Sequence, residues 1–155
     1  MIHRDYIMRM IEQLNKVLAK ILFNKEVKQF ENALGEIQTS GEKFLGLKWD
    51  ILNQLSDQDI IAMLKIGGEL NVGKTIVTAS LFKEEADILE TLGKEDESWK
   101  AYLKAFSLFV EILMVEKTDE IINKAKEVLQ KIDKYNLPVN IEEKRVWFNS
   151  LKKNE

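Results

Sequence analysis

Apolar side chains recur at helical spacing over most of the chain. Ile7, Met10, Ile11, Leu14, Val17, Leu18, Ile21 and Leu22 fall at three- and four-residue steps, while Arg4, Arg9, Glu12, Gln13, Lys16 and Lys20 fall largely elsewhere. This is one face of an amphipathic helix, predicted from about Ile2 to Phe23. A second pattern begins near Glu26 with Phe30, Leu34, Ile37, Phe44 and Leu45 as its apolar set. Thr39-Ser40-Gly41 in its middle predicts a kink or a split. Leu47 to Leu55 holds at most a short helical turn around Trp49. Ser56 followed by Asp59 starts the next helix, since the hydroxyl accepts from a free backbone N–H while the carboxylate reaches back. Ile60, Ile61 and Leu64 give that helix a buried face, with Met63 beside them, and Gly67-Gly68 end it.

Two long helices follow, about Val72 to Leu92 and about Asp96 to Val115, with Gly93 between them. Long helix, tight glycine turn and long helix predict an antiparallel hairpin. Thr118-Asp119-Glu120 caps another helix running to about Tyr135, with its acids at the positive end. Asn136 to Asn140, with Pro138, is a turn. Asn140 and Glu143 repeat the cap pattern for a last helix through Trp147, Phe148 and Leu151. The chain therefore reads as one all-α domain over residues 1–155, built from about six or seven helices in antiparallel pairs.

Phe82, Ala86, Leu89, Gly93, Ser98, Tyr102 and Ala105 carry a more specific pattern. Bulky and small residues alternate at fixed steps so that two helices cross closely, with large side chains filling the gaps beside the crossing. The hairpin over 72–116 resembles a tetratricopeptide repeat on these residues, although Glu85 stands where that repeat usually has Leu and no Pro ends its second helix. The pair over 118–152, around Ile121, Ala125, Leu129, Trp147 and Phe148, is a looser match with a longer turn. The resemblance implies right-handed stacking of the helix pairs. It also implies a concave groove lined by the first helix of each pair, which places Ser80, Lys83, Glu84, Asp87, Glu90 and Thr91 on the groove face. That set is net acidic, so its implied guest is a basic or polar peptide.

The opening Met1-Ile-His-Arg-Asp-Tyr-Ile-Met-Arg-Met-Ile-Glu12 resembles the start of an uncharacterised family of small bacterial helical proteins, mostly Gram-positive. That resemblance spans the chain and implies a fold and no activity.

Composition narrows the function classes. The 155 residues are 45% hydrophobic and 32% charged, which describes a globular chain. There is no cysteine, which removes disulfides, thiolate nucleophiles and cysteine zinc sites. A net charge of -3 argues against nucleic acid as a partner, because phosphate binding needs a clustered basic surface. The N-terminus runs straight into His3, Arg4 and Asp5, unlike a secretory signal, and nowhere do about 18 apolar residues run together. A cytoplasmic protein is expected.

Gly68-Glu-Leu-Asn-Val-Gly73-Lys74-Thr75 satisfies the phosphate-loop pattern G-x-x-x-x-G-K-[ST]. A working phosphate loop follows a buried parallel strand, whereas Ser56 to Lys65 reads as a capped helix. No apolar run ending in Asp offers a strand to hold magnesium. An ordinary helix-to-helix turn is the preferred reading, and nucleotide binding through Gly68 to Thr75 the disfavoured alternative. His3 is the only histidine and reads as a surface residue. Glu84-Glu85 and Glu95-Asp96-Glu97 read as solvated helix faces and first-turn charges. No catalytic, cofactor or metal residue is assigned.

What remains is a non-enzymatic interaction or scaffold protein that binds another protein or itself. The α-helical stripe Ile7, Met10, Ile11, Leu14, Val17, Leu18 and Ile21 is a candidate self-association surface through which a homodimer would form. Docking of the same helix on a membrane surface is a further alternative, disfavoured because its polar face lacks a dense basic cluster.

Overall fold

The computed structural model describes residues 2–153, with side chains from Arg4 to Leu151. Eight helices account for nearly all of it, so the fold is all-α. They are α1 (Ile2–Glu26), α2 (Phe30–Leu45), α3 (Trp49–Gln54), α4 (Asp57–Leu64), α5 (Val72–Thr91), α6 (Glu95–Val115), α7 (Asp119–Ile132) and α8 (Val139–Lys153). Between α4 and α5 lies an antiparallel ribbon of two short strands, β1 (Lys65–Ile66) and β2 (Glu69–Leu70), paired Lys65 to Leu70 and Ile66 to Glu69. Gly67 and Gly68 have φ of +60° and +84°, the pair of left-handed conformations that a two-residue hairpin turn demands.

Local signals set most boundaries. The Ser56 hydroxyl accepts from the Asp59 N–H (3.1 Å) at the start of α4, and the Thr118 hydroxyl accepts from the Ile121 N–H (3.4 Å) at the start of α7. Asn71 does the same for α5, its side-chain oxygen accepting from the Lys74 N–H (3.1 Å). The acidic run Glu95, Asp96 and Glu97 occupies the first turn of α6, where the positive end of the helix favours it.

α5 is the centre of the molecule. It packs against α1, α2 and α6, and α6 in turn carries α4, α7 and α8. Enclosure on so many sides requires small residues at the crossings, and Ala79, Ala86, Ala101 and Ala105 are all buried. Large side chains fill the remaining space: the Trp49 and Phe82 rings lie 4.6 Å apart between centroids, and Phe106 meets Phe148 edge-on at 5.8 Å. A polar knot fastens α8. The Asp57 carboxylate at the start of α4 accepts from the Ser107 hydroxyl (2.6 Å) and the Asn140 amide (2.9 Å), while the Lys144 ammonium donates to Ser107 Oγ (2.7 Å) and pairs with Glu111 (3.3 Å).

Several expectations are corrected. α2 runs unbroken from Phe30 to Leu45: Gly41 lies flat under Trp49, so it serves a close approach and does not interrupt the helix. Asn140 is not a cap, because α8 begins at Val139 directly after Pro138 and the Asn140 amide is spent on Asp57. α7 stops at Ile132, leaving Tyr135 outside it, edge-on to Trp99 at 5.6 Å. The chain also contains the β1–β2 ribbon where helices alone were expected.

Two glycines at helix contacts make a paired test. A Cβ on Gly41 would stand 2.5 Å from the buried Trp49 ring, whereas one on Gly73 would be crowded only by the flexible Met10 sulfur at 2.9 Å, with Ile7 and Asn71 at ordinary contact distance. Gly41→Ala is expected to lower stability by about 2–3 kcal/mol through overpacking. Gly73→Ala is expected to stay within about 1 kcal/mol of the parent, because better helix propensity offsets the adjustment of Met10. Urea unfolding followed by tryptophan fluorescence measures both.

Candidate functional site

The α5 face implied by the repeat pattern is occupied from within. Lys25, in the last turn of α1, pairs with Glu84 (2.9 Å) and Asp87 (3.6 Å). Lys83 pairs with Asp87 (3.1 Å) and with Glu127 of α7 (3.6 Å), and Lys131 of α7 pairs with Glu90 (2.7 Å). The Tyr102 hydroxyl donates to Asp87 (2.5 Å), and burial, followed by that carboxylate, pushes the phenol above its usual range. Burial alone would lower the Lys83 ammonium, but Asp87, Glu84 and Glu127 together hold it above its ordinary value. Thr91 donates to the Asp87 carbonyl (3.0 Å), and Ser80 is buried, its hydroxyl without a partner among the described residues. The acidity read from the sequence is thus met by lysines of α1, α5 and α7.

The α1 stripe faces inward. Met10, Leu14 and Ile21 are buried and Ile7, Ile11, Val17 and Leu18 are partly buried, on the side that packs against α2 and α5. Tyr6, Met8, Leu22 and Phe23 of α1, and Val27 just after it, are exposed. None of the helices among the described residues is long and apolar enough to cross a membrane.

In the segment that matches the phosphate-loop pattern, the chain enters from the antiparallel ribbon and passes at once into α5. The N–H groups that a phosphate would need are engaged, that of Lys74 with the Asn71 side chain and that of Thr75 with the Asn71 carbonyl (3.0 Å). The Thr75 hydroxyl is buried and donates to the same carbonyl (2.7 Å). The side chain of His3 lies outside the described residues, among which no cluster of histidines and carboxylates is arranged to hold a metal.

An open cleft lies elsewhere, between α2 and α6. It is a cleft of about 560 Å³ bounded by Leu34 and Gln38 of α2, Leu89 of α5, and Lys100, Ala101, Leu103 and Lys104 of α6. Asn53, Asp57 and the turn from Pro138 to Ile141 close its ends. At its floor sits Glu85, only 8% exposed. The Trp49 indole N–H donates to one Glu85 oxygen (2.5 Å), and the Asn53 amide, oriented with its nitrogen inward, donates to the other (3.0 Å). Burial pushes the Glu85 carboxyl above its usual value, outweighing the Trp49 and Asn53 hydrogen bonds and the attraction of Lys104, which act the other way. Lys104 is pushed down, chiefly by burial; its ammonium donates to the Asn53 carbonyl (2.6 Å) and lies 5.4 Å from the centre of the Phe82 ring.

An apolar-walled cleft with a few converging polar groups, two of them titrating away from their ordinary values, has the features of a ligand-binding site. Whole-chain similarity adds the family. The chain belongs to the family of unknown function DUF6483, whose model matches residues 1–155. No curated protein and no solved structure matches it. In this DUF6483 member the reading of Glu85 as part of a solvated pair with Glu84 is corrected. The one signal for it in the sequence was a charge at a repeat position that packs, where Leu is usual.

The raised Glu85 value has a consequence for stability. A carboxyl whose folded pKa exceeds its unfolded one, near 4.5, favours folding in its neutral form. The resulting penalty is absent below the unfolded value and complete above the folded one. Glu85→Gln is therefore expected to raise Tm relative to the parent at pH 7 and to lose that advantage near pH 4. Melting curves at the two pH values measure the difference; an equal offset at both would contradict it.

Proposed function

We propose that this protein is a non-enzymatic, cytoplasmic interaction or scaffold protein that holds a segment of another protein in the α2–α6 cleft. In this reading its helix pairs stack in the right-handed manner of tetratricopeptide repeats. The packing order supports it: α1 and α2 both rest on α5, the first helix of the next pair, and α6 rests on α7, the first helix of the pair after that. α8 departs from the scheme by docking on α6.

The observation that carries the choice of surface is the contrast between the two sides of α5. On one side Glu84, Asp87 and Glu90 are already paired with lysines, so a guest would have to displace them. On the other, the cleft is open, with leucine walls and polar groups at its mouth and ends. This follows the usual arrangement of an interface, with an apolar centre inside a polar rim.

Photo-crosslinking tests the assignment. A benzophenone side chain placed at Gln38 or Lys100, both exposed on the cleft, is expected to give in cells one discrete adduct that maps to a single peptide segment. The same group at Glu127, on the ion-paired face, is expected to give none. Adducts from Glu127 alone would return the partner to the face first implied by the sequence, and adducts only with the protein itself would make the occupant a second copy.

A further inference from the structure

We propose that Glu85 anchors a cationic side chain, the lysine or arginine of a bound segment, at the floor of the α2–α6 cleft. The proposal rests on the reading of that cleft as a peptide site and specifies what the peptide must carry.

Three observations lead to it. First, Glu85 is nearly buried in the middle of α5 and yet lines an open cleft, so its remaining exposure is to whatever enters there. Second, its two hydrogen-bond donors, the Trp49 indole and the Asn53 amide, are both neutral. They fix the carboxylate in place and leave each oxygen a further lone pair. Third, among the described residues no cation lies within ion-pair distance of it. Lys104 acts on it from farther away and is committed to the Asn53 carbonyl and the Phe82 ring. A buried carboxylate held by neutral donors alone is an incomplete arrangement, because its charge has lost water without gaining a counter-ion.

The rest of the cleft suits such a guest. Leu34, Leu89 and Leu103 offer apolar wall to the methylene stem of a lysine or arginine, whose charged end would reach the floor. The cleft holds three acids, Asp57, Glu85 and Glu97, against two lysines, Lys100 and Lys104, an excess of one negative charge that favours a cationic guest.

The test uses the full chain and short blocked peptides, with the Trp49 indole N–H as an NMR reporter. Acetyl-Ala-Arg-Ala-amide and acetyl-Ala-Lys-Ala-amide are expected to shift that resonance saturably. The neutral analogues with citrulline or norleucine are expected to bind at least about tenfold more weakly. Glu85→Gln, which keeps an acceptor for Trp49, is expected to abolish the preference while the protein remains folded by circular dichroism. Equal binding of charged and neutral peptides, no shift of Trp49 with any of them, or a cation preference that survives Glu85→Gln would overturn the proposal. A much stronger response to spermidine than to either peptide would overturn it too, by assigning the anchor to a free polyamine. Crosslinks from Gln38 separate the two levels. If they persist unchanged in Glu85→Gln the cleft remains the binding surface and only the anchor fails, whereas their absence from the parent removes the cleft itself.

Discussion

The middle of α5 is enclosed by other helices, and the structure is organised around what its charged residues do there. A helix in that position has little free surface on which to place polar side chains, so each one needs a partner or an opening. Glu84, Asp87 and Glu90 find partners in Lys25, Lys83 and Lys131, which tie α1, α5 and α7 across one side. Such part-exposed pairs contribute on the order of 1 kcal/mol each at most, so their effect is to occupy the surface more than to stabilise it. Glu85 points the other way and meets a cleft.

Trp49 makes that second arrangement possible. Its ring packs on Phe82 and over Gly41, and its N–H reaches Glu85. One residue thus joins α2, α3 and α5, combining an aromatic contact of about 1 kcal/mol with a hydrogen bond to a charged group of about 1.5–3 kcal/mol. Neither term removes the desolvation of the carboxylate, which is why burial still dominates its titration. The floor of the cleft is therefore held rigidly in a state that a cation would relieve, and its opposite wall, α6, is braced by the Asp57–Ser107–Lys144 knot.

Much of the fold was legible because its signals are local. Ser56 and Thr118 cap the helices they were expected to cap, since a hydroxyl and an N–H three residues apart settle the matter without distant partners. The α1 stripe was legible as apolar, but periodicity says only that a face is buried and not against what. Asn140 carried the same cap signal and was misleading, because its amide is claimed by Asp57 far away in sequence. Gly41 read as a helix breaker for the same reason: the Trp49 ring that requires it arrives from the next helix. Glu85 was hidden most completely. Helical spacing distinguishes inside from outside only on a helix with one wet face, and α5 has almost none. Beside Glu84, its neighbour looked like another surface acid.

Glu85 is a desolvated carboxylate at the floor of the cleft, with no cation among the described residues within ion-pair distance, and Lys104 acts on it only from farther away. The most direct measurement is a site-resolved carbon NMR titration of the Glu85 side-chain carboxyl in the full-length protein. The expected result is a midpoint above that of an ordinary glutamate, with the Trp49 indole resonance moving over the same pH range. An ordinary or lowered midpoint, or a titration to which Trp49 is indifferent, would mean that the carboxyl is solvated or already paired, and the account would fail.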